Sequence, residues 1–248
     1  MIMHVTTNFA ASAGAETMLA RLLSTWRDPE VVVSLREVSD RNRRLADNPD
    51  VIYRSLGATN LFGLGRATLT LGKLISEYKP AVIVCWMYHA MIATSIATRL
   101  SRHHPRVLWT IRQALDDPSS LTHSTRLAIR LSRILSTTCD GIIYNSERAR
   151  EQHRLLGFDA SADCVIPNGV PLPSTYTLPK VPLKVFGYAA RLHPQKDLYS
   201  FLQAAASTSA ALPDVRFVTA GKNLLHSNLE VAKMVAKSGL DPARITFL

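Results

Sequence analysis

Arg191 and Lys196 stand five positions apart in the run GYAARLHPQKD, residues 187–197, where an apolar stretch breaks into a short turn. An arginine offers a planar fork of donors to phosphate oxygens, and a lysine adds a mobile point charge. A helix opening at Asp197 would aim its first free amides and its positive dipole end at the same anion. The ligand that suits such a turn carries a diphosphate. A cation at roughly 4 Å contributes up to about 4 kcal/mol at an effective dielectric near 20, and two fixed cations can stand in for a metal ion. The plainer alternative is a surface Arg and Lys beside a helix start.

Such a turn needs a strand before it and a helix after it. Leu198, Phe201, Leu202 and Ala205 fall at i, i+3, i+4 and i+7, one face of a helix, and residues 183–188 read as the strand. Upstream, strands are predicted at 3–7, 31–35, 51–53, 81–86, 106–111, 141–144 and 164–166. Helices are predicted at 15–26, 64–78, 90–101, 122–137 and 147–156. The first helix shows Leu19, Leu22, Leu23 and Trp26 as a single apolar stripe. Alternation of this kind means a parallel sheet with crossover helices, whose ligands bind beyond the carboxyl ends of the strands. Residues 171–182 hold four prolines and read as a stiff connector. The same alternation restarts beyond it, with strands at 183–188, 215–220 and 245–248. The expected organisation is a first domain at 1–170, a linker at 171–182 and a second domain at 183–248.

Five stretches, in order, resemble those of the family 4 retaining glycosyltransferases, which have the GT-B fold. They are SAGAET (12–17), similar to the family loop GGAE, then WTIRQALDD (109–117), YNSERAREQHRLLGF (144–158), VIPNGV (165–170) and ARLHPQKD (190–197). The likeness runs over essentially the whole chain. It implies an α/β, GT-B-like protein with a complete N-terminal Rossmann-like domain on the acceptor side and an incomplete second Rossmann-like domain for the nucleotide sugar. It further implies transfer of a sugar from a nucleotide diphosphate sugar to a glycan or lipid-linked acceptor with retention. The leaving phosphate would help deprotonate the incoming hydroxyl, and no cofactor or metal is implied.

Carried over position by position, Arg191 and Lys196 match the family's phosphate pair and are the catalytic and donor-binding candidates. Gly14 matches the second glycine of the loop that approaches the donor phosphates. Ala13 replaces the first glycine and narrows the backbone angles open to that loop, while Ser12 capping the helix is the alternative reading. On the acceptor side, Arg112 stands where many relatives have a histidine. It cannot act as a base but could bind an anionic acceptor or the donor phosphates. His89 lies near a polar acceptor-site position, with packing beside Tyr88 and Met87 as its structural alternative. Asp116 and Asp117 read as a loop cap, Ser146 with Glu147 as a helix cap, and Asn168 with Gly169 as a turn.

The sequence departs from the family in one respect. No glutamate pair at the family's spacing follows Lys196, where the acidic residues are Asp197, Asp214, Glu230 and Asp241. The chain therefore looks cut short inside its donor-binding half. The alternative function is a catalytically inactive, truncated glycosyltransferase-like binding domain, and the activity of the 248-residue form itself is left open.

With 47% hydrophobic and 19% charged residues the composition is that of a globular protein. Cys85, Cys139 and Cys164 follow no metal-ligand spacing and read as buried thiols in a reducing, cytoplasmic compartment. The opening residues read as a strand and not as a secretion signal. Residues 80–98 carry no Asp, Glu, Lys or Arg, and a strand plus a buried helix explains the run better than a membrane span. The net charge of +10 is spread over both domains. Arg126, Arg130 and Arg133 lie at i, i+4 and i+7 on a helix whose Leu127, Leu131, Ile134 and Leu135 are expected in the core. The first reading is a solvated basic face, and the second is peripheral contact with an anionic membrane at its inner surface. Non-specific nucleic-acid binding through the basic surface has only charge behind it and no aromatic platform, and no specific nucleic acid is expected as a partner. A dinucleotide oxidoreductase is weaker still, since no GxGxxG follows the first strand.

Overall fold

The structure, a computed structural model, describes residues 1–26, 28–116, 121–170, 172 and 184–248. Asp117 and the proline-rich stretch 173–182 lie outside the described residues. The chain divides into two compact units, Met1–Pro171 and Leu172–Leu248.

The first unit is built on seven strands: β1 (Ile2–Thr6), β2 (Glu30–Ser34), β3 (Val51–Ser55), β4 (Val82–Trp86), β5 (Arg106–Ile111), β6 (Gly141–Tyr144) and β7 (Asp163–Val165). All pair in parallel, in the order β3-β2-β1-β4-β5-β6-β7. Between them run α1 (Gly14–Thr25), α2 (Asp40–Ala46), α3 (Leu61–Tyr78), α4 (Tyr88–Leu100), α5 (His123–Leu135) and α6 (Glu147–Leu155). Helices cover both faces, so β2 is buried at all five positions and β1 at four of five, without alternation. One core gathers Val5, Ile83 and Trp109 under α3, α4 and α5; the other gathers Val32, Val51 and Trp86 under α1.

Several expectations about helices need correction. Helix α2 had no sequence signal as an element, because DRNRRLA buries only Asn42 and Ala46. On α1 the stripe splits: Leu19, Ala20 and Leu23 are buried, whereas Leu22 and Trp26 are exposed. On α5 the expected core residues Leu127, Leu131 and Ile134 are exposed. The inward positions are Ala128, Ile129 and Ser132, and the helix packs on α4, where the Ser132 hydroxyl donates to the Tyr88 carbonyl at 3.4 Å.

The charge-free run forms β4 and α4, and no helix among the described residues is long and apolar enough to cross a membrane. Cys85 and Cys139 are buried, and burial pushes their thiols up to about 12 and about 11. Cys164, expected to be buried, is exposed, because β7 is the edge strand of the sheet.

The second unit contains β8 (Val185–Ala189), α7 (Leu198–Ala211), β9 (Arg216–Ala220), α8 (Leu229–Ser238) and β10 (Ile245–Phe247). Its strands are parallel in the order β10-β9-β8. Leu198, Leu202 and Ala205 of α7 pack on Val215, Phe217 and Val231, which is the helix face expected from their spacing.

Candidate functional site

Because β8 and β9 are parallel neighbours, the loops that follow them meet at one edge of the sheet. The Ala190 amide donates to the Ala220 carbonyl, and the Leu192 amide to that of Lys222, each at 3.0 Å. Gly221 sits between them at φ +149°, where a Cβ would run into the Ala190 carbonyl oxygen, so only glycine lets the loops pass this closely. The far end of the turn is tied by the Tyr188 hydroxyl, which donates to the Lys196 carbonyl at 2.8 Å while its ring packs 5.0 Å from that of Phe201. The turn thus holds Arg191 and Lys196 at the carboxyl end of β8. Both are exposed, and among the described residues neither charged group has a hydrogen-bond or ion-pair partner. Lys222 is a third exposed cation on the same edge.

The helix start differs from expectation. Lys196 closes a 3₁₀ turn, Pro194–Lys196, and α7 begins at Leu198. Asp197 caps that helix, its carboxylate accepting from the Ser200 amide at 3.2 Å. Hydrogen bonds from the Ser200 side chain and backbone hold its carboxyl below the ordinary value. One of the helix's first amides is therefore already satisfied and a negative charge occupies the dipole end, so anion attraction here rests on the side-chain cations.

In the first sheet the strand order reverses between β1 and β4, which places a crevice beyond their carboxyl ends. Gly14, opening α1, and His89, in the first turn of α4, border it. Open space surrounds the position of a Cβ on Gly14, and Ala13 is ordinary extended backbone at φ −118°, so alanine imposes no restriction there. Ser12 does not cap α1; its hydroxyl accepts from Arg41 Nη1 at 3.2 Å. The loop is held instead by buried Asn42 of α2, whose Nδ2 donates to the carbonyls of Phe9 (2.6 Å) and Ala11 (3.1 Å). His89 is half-buried and has no hydrogen-bond partner among the described residues. Burial, then the charge of Arg36, lowers its pKa and keeps the imidazole neutral.

Arg112 is partly committed. Its Nη1 donates to the Ile166 carbonyl (3.3 Å) and to Asn168 Oδ1 (3.1 Å), and the guanidinium lies 5.1 Å over the Trp86 ring. Burial lowers its pKa. Its Nε remains buried without a partner among the described residues, as do Thr7 Oγ1, Gln113 Nε2 and Asn145 Oδ1. All four follow β1, β5 or β6 at the carboxyl edge. Buried polar atoms are normally hydrogen-bonded, so a cluster of unsatisfied ones at a single edge marks a place for a polar ligand or water. Asn145 also donates to the Arg112 carbonyl at 3.2 Å, a contact its reading as a helix start did not include. Asp116 caps no helix: it accepts from Arg148 Nε (2.6 Å) and Gln152 Nε2 (2.7 Å), while Thr122 caps α5 and Ser146 caps α6.

A buried chain beneath this edge escaped the sequence reading. Trp86 Nε1 donates to His4 Nδ1 at 3.2 Å, so His4 carries its hydrogen on Nε2 and donates to Glu30 Oε1, also at 3.2 Å. His4 and Glu30 are each 2% exposed. The available signal was a polar residue inside strands that otherwise read as buried on both faces. A separate apolar cavity of about 220 Å³ lies between α8 and β10, lined by Val231, Val235, Ile245 and Phe247; it shares no residue with either edge. Among the described residues, no group of three His, Cys, Asp or Glu side chains could hold a metal ion.

A parallel sheet with a central switch point, followed by a second parallel sheet, is the architecture of GT-B glycosyltransferases. Residues 12–173, more than half of the chain, match the profile described as Glycosyltransferase Family 4, and the chain belongs to that family. Among solved structures, HepE from Anabaena in complex with UDP-glucose is similar with a TM-score of 0.75 and 19% identity, over 100% of this chain and 68% of that one. Sucrose-phosphate synthase from Thermosynechococcus elongatus gives 0.72 and 14%, over 100% and 70%. The apo lipopolysaccharide outer core galactosyltransferase WaaB gives 0.69 and 14%, over 99% and 67%. At these identities the likeness is one of fold. Comparison with curated protein sequences finds no match.

Proposed function

We propose that this chain serves the transfer of a hexose-type sugar from a nucleotide diphosphate sugar to a glycan or lipid-linked acceptor, with retention of configuration. The observation that carries the reading is the pair of exposed, unpartnered cations, Arg191 and Lys196, on the turn beyond β8. Family membership, and the UDP-glucose held by the similarly folded HepE, support a nucleoside diphosphate as the anion they meet. In this reading the bond between the sugar's anomeric carbon and the phosphate oxygen breaks, and its electron pair stays on the diphosphate. Arg191 and Lys196 offset that charge, the acceptor oxygen bonds to the anomeric carbon, and its proton passes to the leaving phosphate. No side-chain base is required. Neutral His89 and the unsatisfied atoms around Arg112 line the acceptor side, and the Gly14 loop borders it.

Isothermal titration calorimetry with UDP, GDP and ADP tests the reading. Each cation supplies a charge-assisted hydrogen bond worth about 1.5–3 kcal/mol, so Arg191→Ala and Lys196→Ala should each weaken binding by about tenfold or more. Both side chains are exposed, and circular dichroism should show an intact fold. Unchanged affinity in both variants would refute the phosphate role.

A further inference from the structure

Helices α3, α4 and α5 lie side by side over one face of the first sheet. On α5 Ala128, Ile129 and Ser132 point inward, whereas Leu127, Leu131 and Ile134 are 57%, 42% and 63% exposed. They form a stripe at i, i+4 and i+7. Arg126, Arg130 and Arg133, all exposed, form a second stripe directly beside it. The pattern continues onto α4, where Ile96 and Leu100 are exposed around Arg99, and onto α3, where Leu69 is exposed between Arg66 and Lys73. Across the three helices, six lysines and arginines stand against a single carboxylate, Glu77.

An aliphatic stripe left in water on a helix whose other face already packs on the core is a surface built to be covered. We infer that this outer face docks on an anionic lipid surface, with the α5 stripe entering the headgroup layer and the flanking arginines meeting lipid phosphates. Charge decides between occupants. A second copy of the chain, itself at +10, would bring the same cations against these, whereas an anionic bilayer complements the apolar and the basic halves of the patch together. With no helix among the described residues fit to span a bilayer, the contact is interfacial. The inference stands apart from sugar transfer, and its test measures no transfer.

Flotation with vesicles of phosphatidylcholine alone, or mixed with phosphatidylglycerol, reads the contact. The chain should float with the anionic vesicles and stay behind with the neutral ones. Each basic residue near such a surface changes partitioning about fivefold, so Arg126→Glu/Arg130→Glu should lower the bound fraction by about tenfold or more. Leu127→Ser/Leu131→Ser should also weaken binding, and what remains should be removed by salt. All four positions are exposed, so circular dichroism of both variants should match the parent. Absence of flotation on anionic vesicles, or equal flotation after the arginine changes, overturns the inference. Unchanged binding after the leucine changes overturns insertion of the stripe. A dimer seen by sedimentation that the leucine changes dissolve, without flotation, would give the face to a second copy instead.

Discussion

Asp163, at the start of β7, lies between two guanidinium groups. It accepts from Arg154 Nε (2.8 Å) and Nη2 (3.0 Å), and Arg150 Nη2 stands 2.7 Å away. Burial works to raise its pKa, but the hydrogen bonds and charges of the two arginines outweigh it and hold the carboxyl below the ordinary 3.8. A carboxyl lowered in the folded state stabilises the fold above its unfolded pKa and loses that contribution as pH falls through the lower folded value. Asp163→Asn should therefore cost about 1–2 kcal/mol in urea unfolding near neutral pH. The gap from the parent should close as pH drops below 3.8, and a gap that stays constant would rule the ion cluster out as its source. At this scale type and spacing single out Arg191 and Lys196 as candidates for a phosphate, and the structure leaves both exposed on the turn after β8. The sequence did not show that Arg112 is braced on Asn168 and Trp86, because those partners lie 56 and 26 positions away.

Two glycines separate the roles of the elements that carry the candidate sites. Gly221 after β9 is needed by geometry, since its φ of +149° and the Ala190 carbonyl leave no place for a Cβ. Gly14 opens α1 with nothing near it. Gly221→Ala should lower stability by about 3 kcal/mol or more in thermal melts and weaken nucleotide binding by displacing the Arg191 turn. Gly14→Ala should leave stability within about 1 kcal/mol of the parent, since alanine is the better helix former. Equal, small effects of the two changes would contradict the close passage of the loops. Strands and most helices were legible because their periodicity is local. Helix α2 was not, because its buried content is two residues, and the roll of α5 was not, because an apolar stripe has the same spacing whether it faces a neighbour or water.

Each unit has its own core, and all three tryptophans, Trp26, Trp86 and Trp109, belong to the first. Leu202 is fully buried in the second. Leu202→Ala should cost the second unit about 2–5 kcal/mol. Its far-UV transition should move to lower temperature while the tryptophan fluorescence transition stays in place. A joint shift of both signals would mean that the two cores unfold as one.

Strand and helix alternation, the two-part organisation and the cationic turn were set by residue order alone, because periodicity and turn chemistry act over a few neighbouring positions. The tertiary structure alone decided that His4 meets Glu30 from 26 positions away and Trp86 from 82, that Gly221 lies against Ala190, and that α5 turns Leu127 and Leu131 outward. These contacts depend on strand order and register, through which a parallel sheet brings distant segments side by side, and no local pattern encodes that juxtaposition.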